Sequence, residues 1–310
     1  MIHNDISPSD QAKLKQTLET FSHFSSLHFI NAEGYLQSLW KKIPNQHHFS
    51  CEMLYKLIAP SLFPQYDKII ISDVDVVFLG DITKSFFEFD SEEDYLIGGV
   101  VSNNPEAFFP LPPSGWRSGY KKFSPSNLKA IQYGAGGGYL LINLKQWRKV
   151  GVEERCIDCL KNNAKKLVLA EQDIINLVCF PHIKKISLAH IVSHSSWESL
   201  GEQWEKLKPN LYTQEEILEA REHPIQLHYV GADKPWNTPS VPKSDLWFSY
   251  LAKTLFLEDY LNKLETIFFQ KFQKRLLIYR ALKFFQKHPL FLISPSFYQR
   301  IFHLIKRWEK

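Results

Sequence analysis

The chain has 310 residues, 44% hydrophobic and 23% charged, which suits one large α/β domain, or one domain plus an appendage, and excludes a disordered chain. No apolar run reaches the roughly 18 residues of a membrane-spanning helix. The polar start, residues 1–10, fits neither a signal nor a transit peptide, and four cysteines are too few for a disulfide framework, so a reducing cytosol is expected.

The first five residues read as the end of a strand. Ser7-Pro8-Ser9-Asp10 then opens a helix: Ser7 caps it, Pro8 suits its first turn, and Asp10 favours the positive end of its dipole. Leu14, Leu18 and Phe21 continue it at helical spacing. Residues 27–30 read as a short strand and residues 50–59 as a helix. Residues 68–72 are a β-branched run, a buried strand ending on Asp73. Residues 95–101 and 138–143 predict further strands, 153–163 and 171–180 helices, and 225–229 a last strand. This alternation predicts a mostly parallel sheet covered by helices on both faces. Residues 102–127 hold five prolines and two glycines and predict a long loop, serving either as a lid or as a plain surface insertion.

The composition changes after Trp236 to Pro242, so a boundary is expected between residues 242 and 243. Residues 251–310 carry 12 Lys and Arg against 4 Asp and Glu, which leaves the rest of the chain mildly acidic. Leu261, Leu264, Phe268, Phe272, Leu276, Tyr279, Leu282 and Phe285 recur three or four apart, with Lys263, Lys271, Lys274, Arg275, Lys283 and Lys287 largely off that stripe. Such a basic amphipathic helix suits an anionic membrane surface; a helix packed on the body with a solvated basic face is the alternative. Nucleic acid is not the expected partner, because the aromatics form an apolar stripe rather than an open stacking platform.

Three segments bear on chemistry. Asp73-Val74-Asp75 stands at a strand end, where i and i+2 side chains share a side and ligands of open α/β sheets collect. Two carboxylates there suit a divalent cation clamping a diphosphate. His228, at another strand end, suits a third ligand; Gly231 permits close approach of phosphate and Lys234 supplies charge for it. Residues 133–144 contain a glycine run, but Tyr139 stands where a dinucleotide fingerprint needs its third glycine, and the run precedes a strand. Glycines there suit a ligand lying on the backbone. Glu171-Gln172-Asp173 opens a helix and offers groups for sugar hydroxyls. Cys156-x-x-Cys159 lacks a second pair and reads as structural. A phosphatase using Asp73 as nucleophile would leave the segment from His228 to Trp236 unexplained.

In order, the chain carries Asp73-x-Asp75, then Gly137-Gly138-Tyr139-Leu140-Leu141-Ile142-Asn143-Leu144-x-x-Trp147-Arg148, then Gln172-Asp173-Ile174-Ile175-Asn176, then His228-Tyr229-x-Gly231-x-x-Lys234-Pro235-Trp236. From about residue 2 to 240 this resembles the family 8 glycosyltransferases, particularly bacterial lipopolysaccharide and lipooligosaccharide galactosyl- and glucosyltransferases. The resemblance implies a GT-A fold over residues 1–242, a UDP-hexose donor, manganese or magnesium, transfer with retention, and a glycolipid or oligosaccharide acceptor. It also implies a basic C-terminal region (243–310) on the cytoplasmic face of the inner membrane. Asp73, Asp75 and His228 match the metal ligands, and Gly231 and Lys234 the diphosphate contacts. Gln172 matches the amide beneath the reacting sugar carbon, and Glu171 and Asp173 the donor- and acceptor-sugar contacts. Lys56 stands where the family usually has arginine, and Gly136 where it often has a donor-contacting asparagine. The family's first β-α-β unit is expected to be missing from this sequence, so an inactive, truncated, membrane-bound binding protein or remnant is the alternative to an active hexosyltransferase.

Overall fold

Strands form where the sequence clusters β-branched residues between turn signals. They are β1 (Ile2–His3), β2 (Ile30–Asn31), β3 (Lys68–Ser72), β4 (Val76–Phe78), β5 (Ile97–Val101), β6 (Ala135–Asn143), β7 (Ile183–Lys185), β8 (Val192–Ser193) and β9 (Gln226–His228). The computed structural model describes residues 1–43, 50–102, 116–207 and 211–275, with Arg280, Lys283, Gln286 and Lys287. Two compact units are present, Met1–Thr254 and Leu255–Lys310.

In the first unit the strands form three sheets, ordered β1-β2, β3-β6-β5-β7 and β4-β9-β8. The sheets are mixed, which corrects the expected mostly parallel arrangement. The nine-residue β6 runs antiparallel to both β3 and β5, whereas β5–β7, β8–β9 and β1–β2 are parallel. The alternation of helices and strands was legible, but not the reversal of β6 between two strands of like direction.

The core fills the space between the four-stranded sheet and its helices. Ile97, Leu140 and Ile142 from the sheet meet Leu54 and Leu57 from the 3-10 helix Cys51–Ile58, and Ile174 and Ile175 from the helix Ala170–Cys179. Each such side chain contributes roughly 1.5–3 kcal/mol by leaving water. Asn143 and Trp147 tie the end of β6 to the segment that leads into β5. Asn143 Nδ2 donates to the carbonyls of Ser91, Glu93 and Tyr95, its Oδ1 accepts from Gln146 N–H, and Trp147 Nε1 donates to Leu96 O. The helix Val152–Asn163 buries Cys156 and faces Cys179; both thiols are free and buried.

The sequence expectations meet the structure to different degrees. Ser7 caps the helix Pro8–Thr17, its Oγ accepting from Asp10 N–H. That helix ends before Leu18 and Phe21, which are exposed, so the apolar spacing there did not mark a buried face. The 50–59 segment is mainly 3-10 rather than α-helical. Within the expected 102–127 loop, residues 103–115 lie outside the described residues. Trp116–Lys122 forms a 3-10 helix, and Pro125–Gln132 an α-helix capped by Ser124. The short strands β4, β7 and β8 escaped the sequence reading because two or three residues carry no measurable periodicity.

The first unit runs beyond residue 242 to Thr254. The helix Ser244–Leu251 belongs to it because Leu246 and Trp247 pack on Val77, Leu227, Tyr229 and Val241. In the second unit the helix Leu257–Arg275 exposes Leu261, Phe268 and Phe272. Leu276, Tyr279, Leu282 and Phe285 of the expected stripe lie outside the described residues. Among the described residues no helix is long and apolar enough to cross a membrane.

Candidate active site

The site lies where the second and third sheets meet. β3 ends at Ser72, and the chain turns through Asp73-Val74-Asp75 into β4. Asp73 N–H donates to Gly138 O, and Tyr229 N–H donates to Asp75 O. Gln226 pins the junction from below, its Nε2 donating to Ser72 Oγ and Gly138 O. Sequence reasoning missed Gln226; its only signal was its place two residues before His228, on the same side of β9.

These constraints bring Asp73, Asp75 and His228 together. One ligand atom from each lies within 4.8 Å of the others. His228 Nε2 is 3.1 Å from Asp75 Oδ1 and 3.6 Å from Asp73 Oδ2. Two hard carboxylate oxygens and one imidazole suit a divalent first-row or magnesium-like ion. The residues fit such a group in a second way: a Cβ on Gly138 would stand 2.5 Å from His228 Nδ1, so only glycine leaves the imidazole its place.

Lysines stand on both carboxylates. Lys234 Nζ donates to Asp75 Oδ2 and to Tyr229 O. It reaches them from the loop after β9, which turns at Gly231 with φ of +81°, a conformation suited to glycine. Burial pushes the Asp75 carboxyl up, but the His228 hydrogen bond and charge and the Lys234 ammonium outweigh it, holding the group well below the usual carboxylate range. Lys56 is buried and donates to Asp73 Oδ1, Gly137 O and Glu171 Oε1. Burial works against its charge, yet the Glu171 and Asp73 carboxylates raise its pKa overall. Lys56 is therefore a fixed counter-ion between the two carboxylate groups.

The helix Ala170–Cys179 supplies the opposite wall. Glu171 is buried; burial pushes its carboxyl up against the opposing Lys56 ammonium, and its Oε2 has no hydrogen-bond partner among the described residues. Gln172 Oε1 accepts from Gly137 N–H at 2.8 Å. Within a carboxamide only the oxygen accepts, so the Gln172 NH2 is the part not used in that bond. Asn176 spans Ala135: its Oδ1 accepts from Ala135 N–H at 2.8 Å and its Nδ2 donates to Ala135 O at 3.0 Å.

Two expected site residues stand elsewhere. Asp173 is buried behind this wall, where Oδ1 accepts from Tyr120 Oη at 2.9 Å and Oδ2 from the N–H groups of Val168 and Leu169. Its carboxylate holds the helix start. Gly136 faces Ile191, whose Cδ1 would lie 3.0 Å from an added Cβ. Its neighbour Gly137 faces Glu171, Lys56 and Gln172. The alternation of side chains along β6 separates the two.

Known proteins share this arrangement of the chain. General stress protein A of Bacillus subtilis is 22% identical over 261 residues, spanning 82% of each chain. Lipopolysaccharide 1,2-glucosyltransferase of Escherichia coli is 22% identical over 250 residues, 80% of this chain and 64% of its own. The solved bifunctional glycosyltransferase WbbM superposes with a TM-score of 0.66 at 23% identity, over 84% of this chain and 45% of that one. Galactosyltransferase LgtC, solved with donor and acceptor sugar analogs, gives 0.60 at 16% identity, over 82% and 84%. These likenesses show the GT-A type of α/β fold. The family model for glycosyl transferase family 8 matches residues 1–239, and the chain belongs to that family.

Proposed function

We propose that this glycosyltransferase moves galactose or glucose from a UDP-sugar to a saccharide acceptor of a lipopolysaccharide or lipooligosaccharide core, with retention at the anomeric carbon. One observation carries the reading: Asp73, Asp75 and His228 converge beside Lys234, Lys56, Glu171 and Gln172 at a single junction of two sheets. The lipopolysaccharide glucosyltransferase and the galactosyltransferase among the similar proteins support the substrate class.

In this reading Asp73, Asp75 and His228 hold a divalent ion, for which manganese is our choice, and that ion supplies Lewis-acid stabilisation of the charge developing on the departing diphosphate. Lys234 lends its ammonium to the same oxygens, and Gly231 lets the loop approach them. Glu171 Oε2, buried and unpartnered among the described residues, accepts a donor-sugar hydroxyl. Gln172 directs its NH2 toward the sugar. Its carbonyl oxygen is already engaged by Gly137, and an amide is a weak nucleophile, so both facts favour front-face attack by the acceptor hydroxyl over a glycosyl adduct on Gln172.

The test is UDP release from UDP-hexose by the full chain, with manganese and with chelator, beside Asp75→Asn. Manganese-dependent release, reduced by about 100-fold or more in the variant, supports the reading. No release from a folded chain, or release indifferent to metal and to Asp75, overturns it. We further propose that the second unit binds the anionic inner face of the cytoplasmic membrane through Leu261, Phe268 and Phe272 with the surrounding lysines. Flotation with anionic vesicles, reversed by salt, is the expected result; no flotation at low salt refutes it.

A further inference from the structure

We infer that Asn176 is a positioning residue: it replaces a missing strand partner along the first half of β6 and thereby sets where Gly137 and Gln172 stand. The inference rests on the nucleotide-sugar reading above and adds to it a residue that touches neither sugar nor metal.

β6 begins at Ala135, where Val101 of β5 pairs with it on one edge, but on the other edge β3 accompanies it only from Tyr139 to Asn143. Buried backbone groups before that point need other partners. At Gly137 the N–H goes to Gln172 Oε1 and the carbonyl accepts from Lys56 Nζ. At Ala135 both backbone groups go to one carboxamide, that of Asn176. Gln172 and Asn176 are four apart, so they share one helix face, and they meet residues two apart on the strand. The helix thus docks on β6 through side-chain amides that stand in for a hydrogen-bond ladder.

The fit at Asn176 is close. A Cβ on Gly134 would lie 2.6 Å from Asn176 Nδ2 and 2.9 Å from its Cγ, so the chain approaches the carboxamide where only glycine allows it. Asn176 is 2% exposed, too enclosed to meet a substrate itself. Of the amides available, only Asn or a similar group satisfies a backbone donor and a backbone acceptor together. Loss of that clamp frees the start of β6, and with it the Gly137 N–H that fixes the orientation of the Gln172 carboxamide. The Asp73–Asp75–His228 cluster touches this segment through Lys56, but Gln226 and the β3–β6 pairing hold it from the other side, so it keeps its geometry.

The experiment compares the full-length wild-type chain with Asn176→Ala, Asn176→Asp and Gly134→Ala. Asn176→Asp keeps the acceptor for Ala135 N–H and removes the donor, and Gly134→Ala displaces Asn176 without deleting it. Two readouts are taken on folded protein: backbone amide exchange, and UDP affinity with manganese against kcat for UDP-hexose hydrolysis. Asn176→Ala and Gly134→Ala should speed exchange at Ala135 and Gly137 while residues 140–142 stay protected. UDP affinity should hold within about threefold while kcat falls about 10- to 100-fold, with Asn176→Asp in between. Unchanged Gly137 protection, unchanged kcat per folded molecule, or a parallel fall of UDP affinity and kcat each overturns the inference. Exchange at Gly137 needs no turnover, so the two readings fail separately. Wild-type protein that binds no UDP removes both, and active wild type beside variants with a protected Gly137 removes this one alone.

Discussion

Asp75 and Asn176 each engage both polar atoms of one short side chain, and they face the site from opposite walls. Asp75 gives its oxygens to His228 and Lys234, both capable of carrying charge and both on the β9 side. Asn176 gives its oxygen and nitrogen to one backbone unit, Ala135. The first wall is held by charge, so ions and pH act on it directly. The second, at Gln172 and Asn176, is held by neutral hydrogen bonds in a dry setting, so volume and shape act there instead. Lys56 is the exception that joins them, a buried cation bonded to Asp73 on one wall and to Gly137 and Glu171 on the other.

The sharpest way to break the comparison is to remove that joint. Lys56→Met leaves the buried Glu171 carboxylate without its counter-ion and removes the cation from part-exposed Asp73, and denaturant unfolding should show a loss of about 3–5 kcal/mol. A loss below about 1 kcal/mol would mean the two walls stand independently. Gly138→Ala attacks the charged wall by volume alone. The new methyl meets the His228 ring, so a stability loss of about 1–3 kcal/mol should accompany weaker manganese binding, measured by calorimetry. Tyr120→Phe attacks the neutral wall from behind. Asp173 keeps its two backbone donors, so the cost should be about 1 kcal/mol, with manganese affinity unchanged.

The smallest effect comes from pH, through two buried imidazoles, of which His194 lies against the His228 carbonyl. Burial lowers the pKa of His190 and of His194. Between those lowered values and about 6.5, the unfolded chain binds more protons than the folded one, so stability rises with pH across that window. The melting temperature should be level above about pH 6.5 and should sag as pH falls below it. His190→Gln should flatten part of the sag. A melting temperature that rises on acidification over the same range would contradict the burial of both imidazoles.

The same contrast explains what was legible in the sequence. Asp73, Asp75, His228 and Lys234 announced themselves because charged residues at strand ends, spaced for a cation and a diphosphate, have few structural uses in combination. The strand 68–72 was readable to the residue, since three consecutive isoleucines between a lysine and a serine leave little choice. The neutral wall gave no such signal. Asn176 and Gly137 look like any amide in a helix and any glycine in a run; their meaning lies in contacts 41 and 35 residues away along the chain. An acidic residue at a helix start reads alike whether or not it also caps its own backbone, as Asp173 does at Val168 and Leu169. The sheet order was hidden too, because the reversal of β6 depends on how the 102–134 segment returns and not on any local pattern.

The buried thiols in the core give the molecule an internal reporter. Burial raises the pKa of Cys156 and Cys179 well above that of a free thiol, so neither offers thiolate to a reagent while the fold is closed. Cys159, on the same helix, is less enclosed. A maleimide pulse therefore separates two kinds of opening. Modification of Cys159 alone records fraying of the helix surface, whereas capture of Cys156 and Cys179 together records separation of that helix from its neighbour. Mass spectrometry of the labelled chain would time both events in one sample, with no probe added to the sequence.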